Sequence, residues 1–136
     1  MKKYLAAALA VLVWLLVFDN FLVPVLMGSA LAQIPGMQAD YSKLWETVGD
    51  LCAALVLTGL YARVRGVFGA TPKGGAVYGV YAGLLVNFPT WLFMTVYAGW
   101  PYGATWHITL ILVAATIVAG AVMGAVYQTM ERPAAA

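Results

Sequence analysis

The stretch from Thr105 to Tyr127 reads TWHITLILVAATIVAGAVMGAVY and contains no Asp, Glu, Lys or Arg. About 20 apolar residues, rising ~1.5 Å each, cross the ~30 Å hydrocarbon core of a bilayer. No water is available there to satisfy a bare backbone N–H or C=O. A crossing segment must therefore be a helix or a strand of a closed barrel. The alternation of apolar and polar residues that marks a barrel strand is missing here. The stretch reads as a membrane-spanning helix, and three others resemble it: about Tyr4 to Met27, about Leu44 to Val64 and about Gly75 to Tyr97.

The rest of the chain agrees with that reading. Its 136 residues are 64% hydrophobic and 9% charged, with a mean hydropathy of +0.90. Soluble domains carry roughly 45–50% apolar and about 25% charged residues. A small soluble protein has much surface for its volume and cannot cover it with so little charge. A soluble enzyme domain, a disordered chain and a disulfide scaffold are thereby excluded. Cys52, the single cysteine, sits in an apolar run and is expected to behave as a small buried hydrophobe. A formal charge of +2, with no basic stripe, gives no nucleic-acid footprint. The fold class expected is all-α: one domain over residues 1–136, a polytopic bundle of four transmembrane helices (about 4–27, 44–64, 75–97 and 105–127) packed antiparallel, up and down.

Orientation follows from the basic residues. Lys2 and Lys3 precede the first span, Arg63, Arg65 and Lys73 separate the second and third, and Arg132 follows the fourth. All six fall on one side of a four-span chain. Both termini are expected in the cytoplasm, in a bacterial-type plasma (inner) membrane. Aromatics at headgroup level split the same way. Trp45, Trp91, Trp100 and Trp106 lie toward the outer boundary, and Tyr4, Tyr61, Tyr78 and Tyr127 toward the inner one. The start mimics a signal peptide, with a basic opening, an apolar run from Leu5 to Phe18 and Ser29-Ala30-Leu31-Ala32 beyond it. The whole apolar stretch, about Tyr4 to Met27, exceeds the usual ~7–15 residues, so an uncleaved anchor helix is expected.

Between the spans, Ile34-Pro35-Gly36-Met37 suggests a turn on the outer membrane surface. Gly66 to Gly74, rich in glycine and holding Pro72, reads as a cytoplasmic link, and 133–136 as a frayed tail. A faint internal echo pairs Asn20-Phe21 and Val25-Leu26-Met27 with Asn87-Phe88 and Leu92-Phe93-Met94. It suggests two hairpins related by an axis along the membrane normal.

Small residues recur every four positions as Gly75, Gly79 and Gly83, and again as Thr116, Gly120 and Gly124. Such spacing lets helix backbones approach closely in lipid. Both ladders fall in the cytoplasmic half, where the third and fourth spans are expected to pack tightly. The outer half, filled with aromatics, Pro24 and Pro89, is expected to splay into a cleft open to the outside.

Ionisable groups inside a span are costly, and each is a functional candidate. Asp19 and Asn20 lie in the outer part of the first span. Glu46 and Asp50 stand one turn apart in the second, and Asn87 shares the Gly79–Gly83 face of the third. These five are the candidate ligand- or cation-binding residues, and all can meet at similar depth. Only Lys43 is a nearby cation. Asp19 and Asp50 are then protonated, wetted by outside water, or matched to a bound cation. Structural roles compete. Glu46 in a first helical turn favours the dipole, Asp50 and Asn87 can be interhelical glue, and Asp19 can cap or kink the region before Pro24.

His107, the only histidine, is the weak candidate for a metal ligand. It points about 140° away from the Gly120 face, at ~100° per residue, and sits at the outer water boundary beside Trp106. No paired-histidine zinc motif, Gly-rich phosphate loop, or nucleophile with an evident base is present. No motif requires a cofactor.

The pattern of Leu5–Met27, with Phe18-Asp19 after a basic start and an apolar run, resembles small bacterial four-helix inner-membrane proteins of unknown function. Tyr61-Ala62-Arg63 and the Gly-rich third span strengthen the likeness. Members of that family often carry a histidine shortly after the Asp, where this chain has Val23-Pro24. The resemblance implies architecture alone. Small multidrug transporters differ, having an intramembrane Glu early in their first helix, whereas Ala6 to Phe18 here contains no acid.

Three functions remain. The first is a non-catalytic binding or assembly protein, or an accessory subunit, with an outward-facing acidic pocket. The second is a transporter or channel for a proton, metal ion or small cationic solute. The third is a membrane-embedded enzyme. Small size, short loops and missing catalytic motifs favour the first. Its expected surroundings are the lipid bilayer and either further copies of itself or a partner membrane subunit.

Overall fold

The computed structural model describes residues 1–36, 42–97 and 99–131. Met37, Asp40, Arg132 and the tail 133–136 lie outside the described residues. The described chain is helical throughout, joined by turns. Four helices are long and apolar enough to cross a membrane: α1 (Lys2–Leu26), α2 (Lys43–Phe68), α3 (Pro72–Met94) and α4 (Tyr102–Glu131).

α1 is not regular to its end. Lys2–Val17 is α-helical, Phe18–Leu22 forms a π-helical turn, and Val23–Leu26 resumes the α-helix. Pro24 has no N–H and its ring crowds the carbonyl four residues back. The ladder widens just before it, with the Val23 N–H donating to the Phe18 carbonyl five positions away. A one-turn helix, Gly28–Leu31, follows. Ala30 and Ile34 of this segment are buried against Ala104 and Ile108 of α4, so it packs onto the bundle rather than lying loose on a surface.

α2 runs on to Phe68, past the expected end at Val64, and α3 begins at Pro72. The glycine-rich link is thereby cut to residues 69–71. Gly69 stops α2 with a φ of +88°, a conformation that L side chains rarely adopt. Thr71 then caps α3 by accepting the Gly74 N–H at 3.0 Å, with Pro72 in the first turn where its missing N–H costs nothing.

α3 and α4 form the most extensive interface. A Cβ added at Gly75 would stand 2.0 Å from the Gly120 carbonyl oxygen, and one at Gly79 would stand 2.6 Å from that of Thr116. Gly83 faces Val113 and Thr116, and Gly124 faces Thr71. α1 packs on both α2 and α4, and Trp14 Nε1 donates to the Ala115 carbonyl at 3.0 Å. α2 meets α3 over a much smaller area.

Two apolar clusters result. One joins Ala7, Val11, Ala54, Met123 and the tyrosines 61, 78 and 127 toward the end that carries Lys2, Lys3 and Arg65. The other joins Phe18, Met27, Ala30, Ile34, Ile108 and Ala115 toward the opposite end.

Three expectations need correction. The outer half does not splay as a whole, because the second cluster closes it between α1, the Gly28–Ile34 segment and α4. Only α2 stands off there, with residues 42–49 almost entirely exposed. Cys52 is exposed on the outer face of α2, not buried. The two halves of the internal echo also sit differently. Phe21 is exposed, whereas Phe88 packs edge-on against Trp106 with ring centres 5.5 Å apart.

Candidate functional site

Where α2 diverges from α3, a cavity of about 310 Å³ remains between the four spans. Its wall is largely apolar, with Phe18, Leu57 and Leu112 among its residues. Its polar residues are Asp19, Asp50, Asn87 and Thr116, one from each span. Val56 and Val86 line it too, yet are 60% and 54% exposed. They mark a mouth between α2 and α3 that opens sideways from the bundle.

Asp19 belongs to the π-helical turn. Such widened turns re-aim side chains and are frequent at functional sites. Asp50 sits seven residues into α2, roughly 10 Å from its first residue at ~1.5 Å per residue. It begins the buried stripe Asp50, Ala54, Thr58 and Tyr61, the face of α2 turned to the bundle. The Asp19 and Asp50 carboxyl groups face one another within hydrogen-bonding reach. Asp50 is only 8% exposed, and its Oδ2 is buried with no hydrogen-bond partner.

Thr116 and Asn87 do not supply the missing donor; a proton shared with the facing Asp19 carboxyl is the one source inside the cavity. Thr116 Oγ1 donates to the Leu112 carbonyl at 2.8 Å, so it can only accept from Asn87 Nδ2 at 3.2 Å. That exchange uses the Thr116 hydroxyl and one of the two Asn87 N–H groups, and leaves the second N–H and the amide oxygen of Asn87 for a ligand. The cavity thus presents two carboxyl groups, one amide and no cation among its lining residues. It suits a ligand that brings positive charge or N–H groups of its own.

The other predicted residues are placed elsewhere. Asn20 is exposed, donates to the Leu16 carbonyl of its own helix at 2.8 Å, and does not line the cavity. Glu46 lies one turn nearer the start of α2 and pairs with Lys43 at 2.8 Å. His107 is exposed, and its Nε2–H donates to the Leu26 carbonyl at 2.7 Å, which ties α4 to the end of α1. Among the described residues no three His, Cys, Asp or Glu side chains come together as a metal site.

Thr58 has a position the sequence reading did not single out. It is fully buried and its hydroxyl has no hydrogen-bond partner. The four-residue steps from Asp50 to Ala54 to Thr58 are the signal that points to it. Tyr78 donates to the Leu57 carbonyl at 2.9 Å and closes the cavity toward the basic end, with Tyr61 packed on it at 5.2 Å between ring centres.

No protein-family model, curated protein or solved structure matches the chain. The reading of this site rests on its own geometry.

Proposed function

We propose that the chain is a four-span protein of a bacterial-type plasma membrane, antiparallel from span to span, with both termini in the cytoplasm. Along α3, glycines 75 and 79 meet 120 and 116 of α4, so partner numbers fall as numbers rise. Lys3 and Arg65 both reach Glu131, which gathers one end each of α1, α2 and α4 at one level. These contacts support the topology that the basic residues imply.

Its function in this reading is non-catalytic binding. The ligand is a small, largely apolar molecule with one cationic amine, entering sideways between α2 and α3. The buried, unpartnered Oδ2 of Asp50 beside Asp19 carries this proposal. A volume of about 310 Å³ falls within the ~300–1,000 Å³ typical of ligand pockets. The bilayer is the medium from which an amphiphile of that kind would arrive. A second copy or a partner subunit would find a ready surface in the exposed first two turns of α2, including Leu44 and Trp45.

The test is calorimetric titration of the purified protein with n-octylammonium and with neutral 1-octanol. Wild type should prefer the ammonium. Asp50→Asn should lose most of that preference, by about 10–100-fold, the worth of a hydrogen bond to a charged group. Equal binding of the two probes to wild type would overturn the proposal.

Transport of a proton, metal ion or small cationic solute is the second reading. It draws support from the depth of the cavity, which reaches Leu57 near the middle of α2. Passage beyond that point requires Tyr61 and Tyr78 to part. Flux of a cationic probe into proteoliposomes, abolished by Asp50→Asn, would favour transport over binding alone.

A further inference from the structure

A second recess lies at the basic end, away from the acidic cavity. It measures about 460 Å³ and is lined by Lys2, Lys3 and Tyr4 of α1, Ala62 and Arg65 of α2, and Tyr127 of α4. Three cations from two helices converge there. One carboxylate, Glu131, serves two of them, lying 3.7 Å from Lys3 and bonded to Arg65. Among the described residues Lys2 forms no ion pair. The Arg65 guanidinium lies over the Tyr127 ring, 4.9 Å from its centre, which holds it in place at the edge of the recess.

The same two helices form an apolar groove immediately beyond. Leu5, Leu9 and Leu12 of α1 and Leu51 and Leu55 of α2 line this space of about 170 Å³. Tyr4 lines the recess and Leu5 the groove, so the two spaces are neighbours along α1. Tyr4 pins the junction by donating to the Leu55 carbonyl at 3.1 Å. A cationic pocket at the membrane boundary, followed by a groove along the hydrocarbon, has the shape and charge order of a phospholipid. Basic pockets between spans are known to hold anionic headgroups, and each nearby Lys or Arg adds to the attraction at an anionic leaflet.

We infer that the recess binds the phosphate of an anionic phospholipid, with one acyl chain laid in the groove between α1 and α2. Glu131 competes with the headgroup for Lys3 and Arg65. Removing it should therefore strengthen the site, and removing the lysines should weaken it.

Thermal unfolding and native mass spectrometry of the full chain in detergent test this inference. The probes are phosphatidylglycerol, phosphatidylcholine and inorganic phosphate at equal concentration. Phosphatidylglycerol should be retained and should raise the unfolding temperature, and the other two should not. The double variant Lys2→Gln/Lys3→Gln should retain at least threefold less phosphatidylglycerol, and Glu131→Gln should retain more than wild type. Helical content by circular dichroism checks that each variant folds. Equal retention of phosphatidylcholine would overturn the charge-specific site. An equal shift with inorganic phosphate would overturn the lipid assignment. Unchanged retention in both variants would remove these residues from it.

Discussion

Asp50 Oδ2 is buried and unpartnered, an arrangement that costs free energy unless something else compensates. Only a proton shared with the facing Asp19 carboxyl would relieve that cost within the protein. Asp50→Ala should therefore raise the unfolding temperature of the ligand-free protein while removing preference for a cationic probe. A lower unfolding temperature in that variant would instead mark Asp50 as interhelical glue. Trp14 makes the opposite case. Its Nε1 reaches the Ala115 carbonyl across two helices, and Trp14→Phe should cost about 1 kcal/mol in reversible unfolding, the usual worth of one such bond. Of the five candidate residues, Asn20 was misplaced by sequence for a local reason. Depth along a helix is legible from residue number, but the direction of a side chain depends on local winding. The π-helical turn rotates Asp19 to the cavity and leaves Asn20 outside, and no count at 100° per residue contains that turn.

The glycines decide how the elements meet. α3 and α4 approach so closely that a methyl group at Gly75 or Gly120 would overlap backbone oxygen. Gly75→Ala should destabilise by about 1–3 kcal/mol or more, as overpacking does. Gly49→Ala, where nothing lies within 4 Å, should be neutral or stabilise α2 by up to about 1 kcal/mol. Paired unfolding measurements of the two variants check both. The ladders were readable because small residues at every fourth position leave a mark in sequence. The standing-off of α2 was not, because Leu44, Trp45, Val48 and Leu51 look alike whether they face lipid or protein. In a hydrocarbon medium no hydrophobic penalty separates the two. Cys52 was misplaced by the same ambiguity.

At the level of the whole molecule, the proposed topology predicts which loops a membrane-impermeant thiol reagent reaches. With Cys52 replaced by Ala, Pro35→Cys and Gly99→Cys should label in intact cells. Ala70→Cys should label only after the membrane is opened. The reverse pattern would invert the orientation. The native Cys52 should resist water-soluble maleimide in either case, since it is exposed on a helix that the proposed topology sets in the bilayer. Four helices long and apolar enough to cross a membrane, with their approximate ends, were determined by sequence alone. Bilayer thickness and the need to close every backbone hydrogen bond act on composition and length, which sequence records directly. Tertiary structure alone decided that one polar residue from each span meets in a single cavity with a sideways mouth. It also decided that Lys2, Lys3 and Arg65 share one recess. Both depend on crossing geometry and on a local change of helix winding, and residue spacing within any one helix does not encode either.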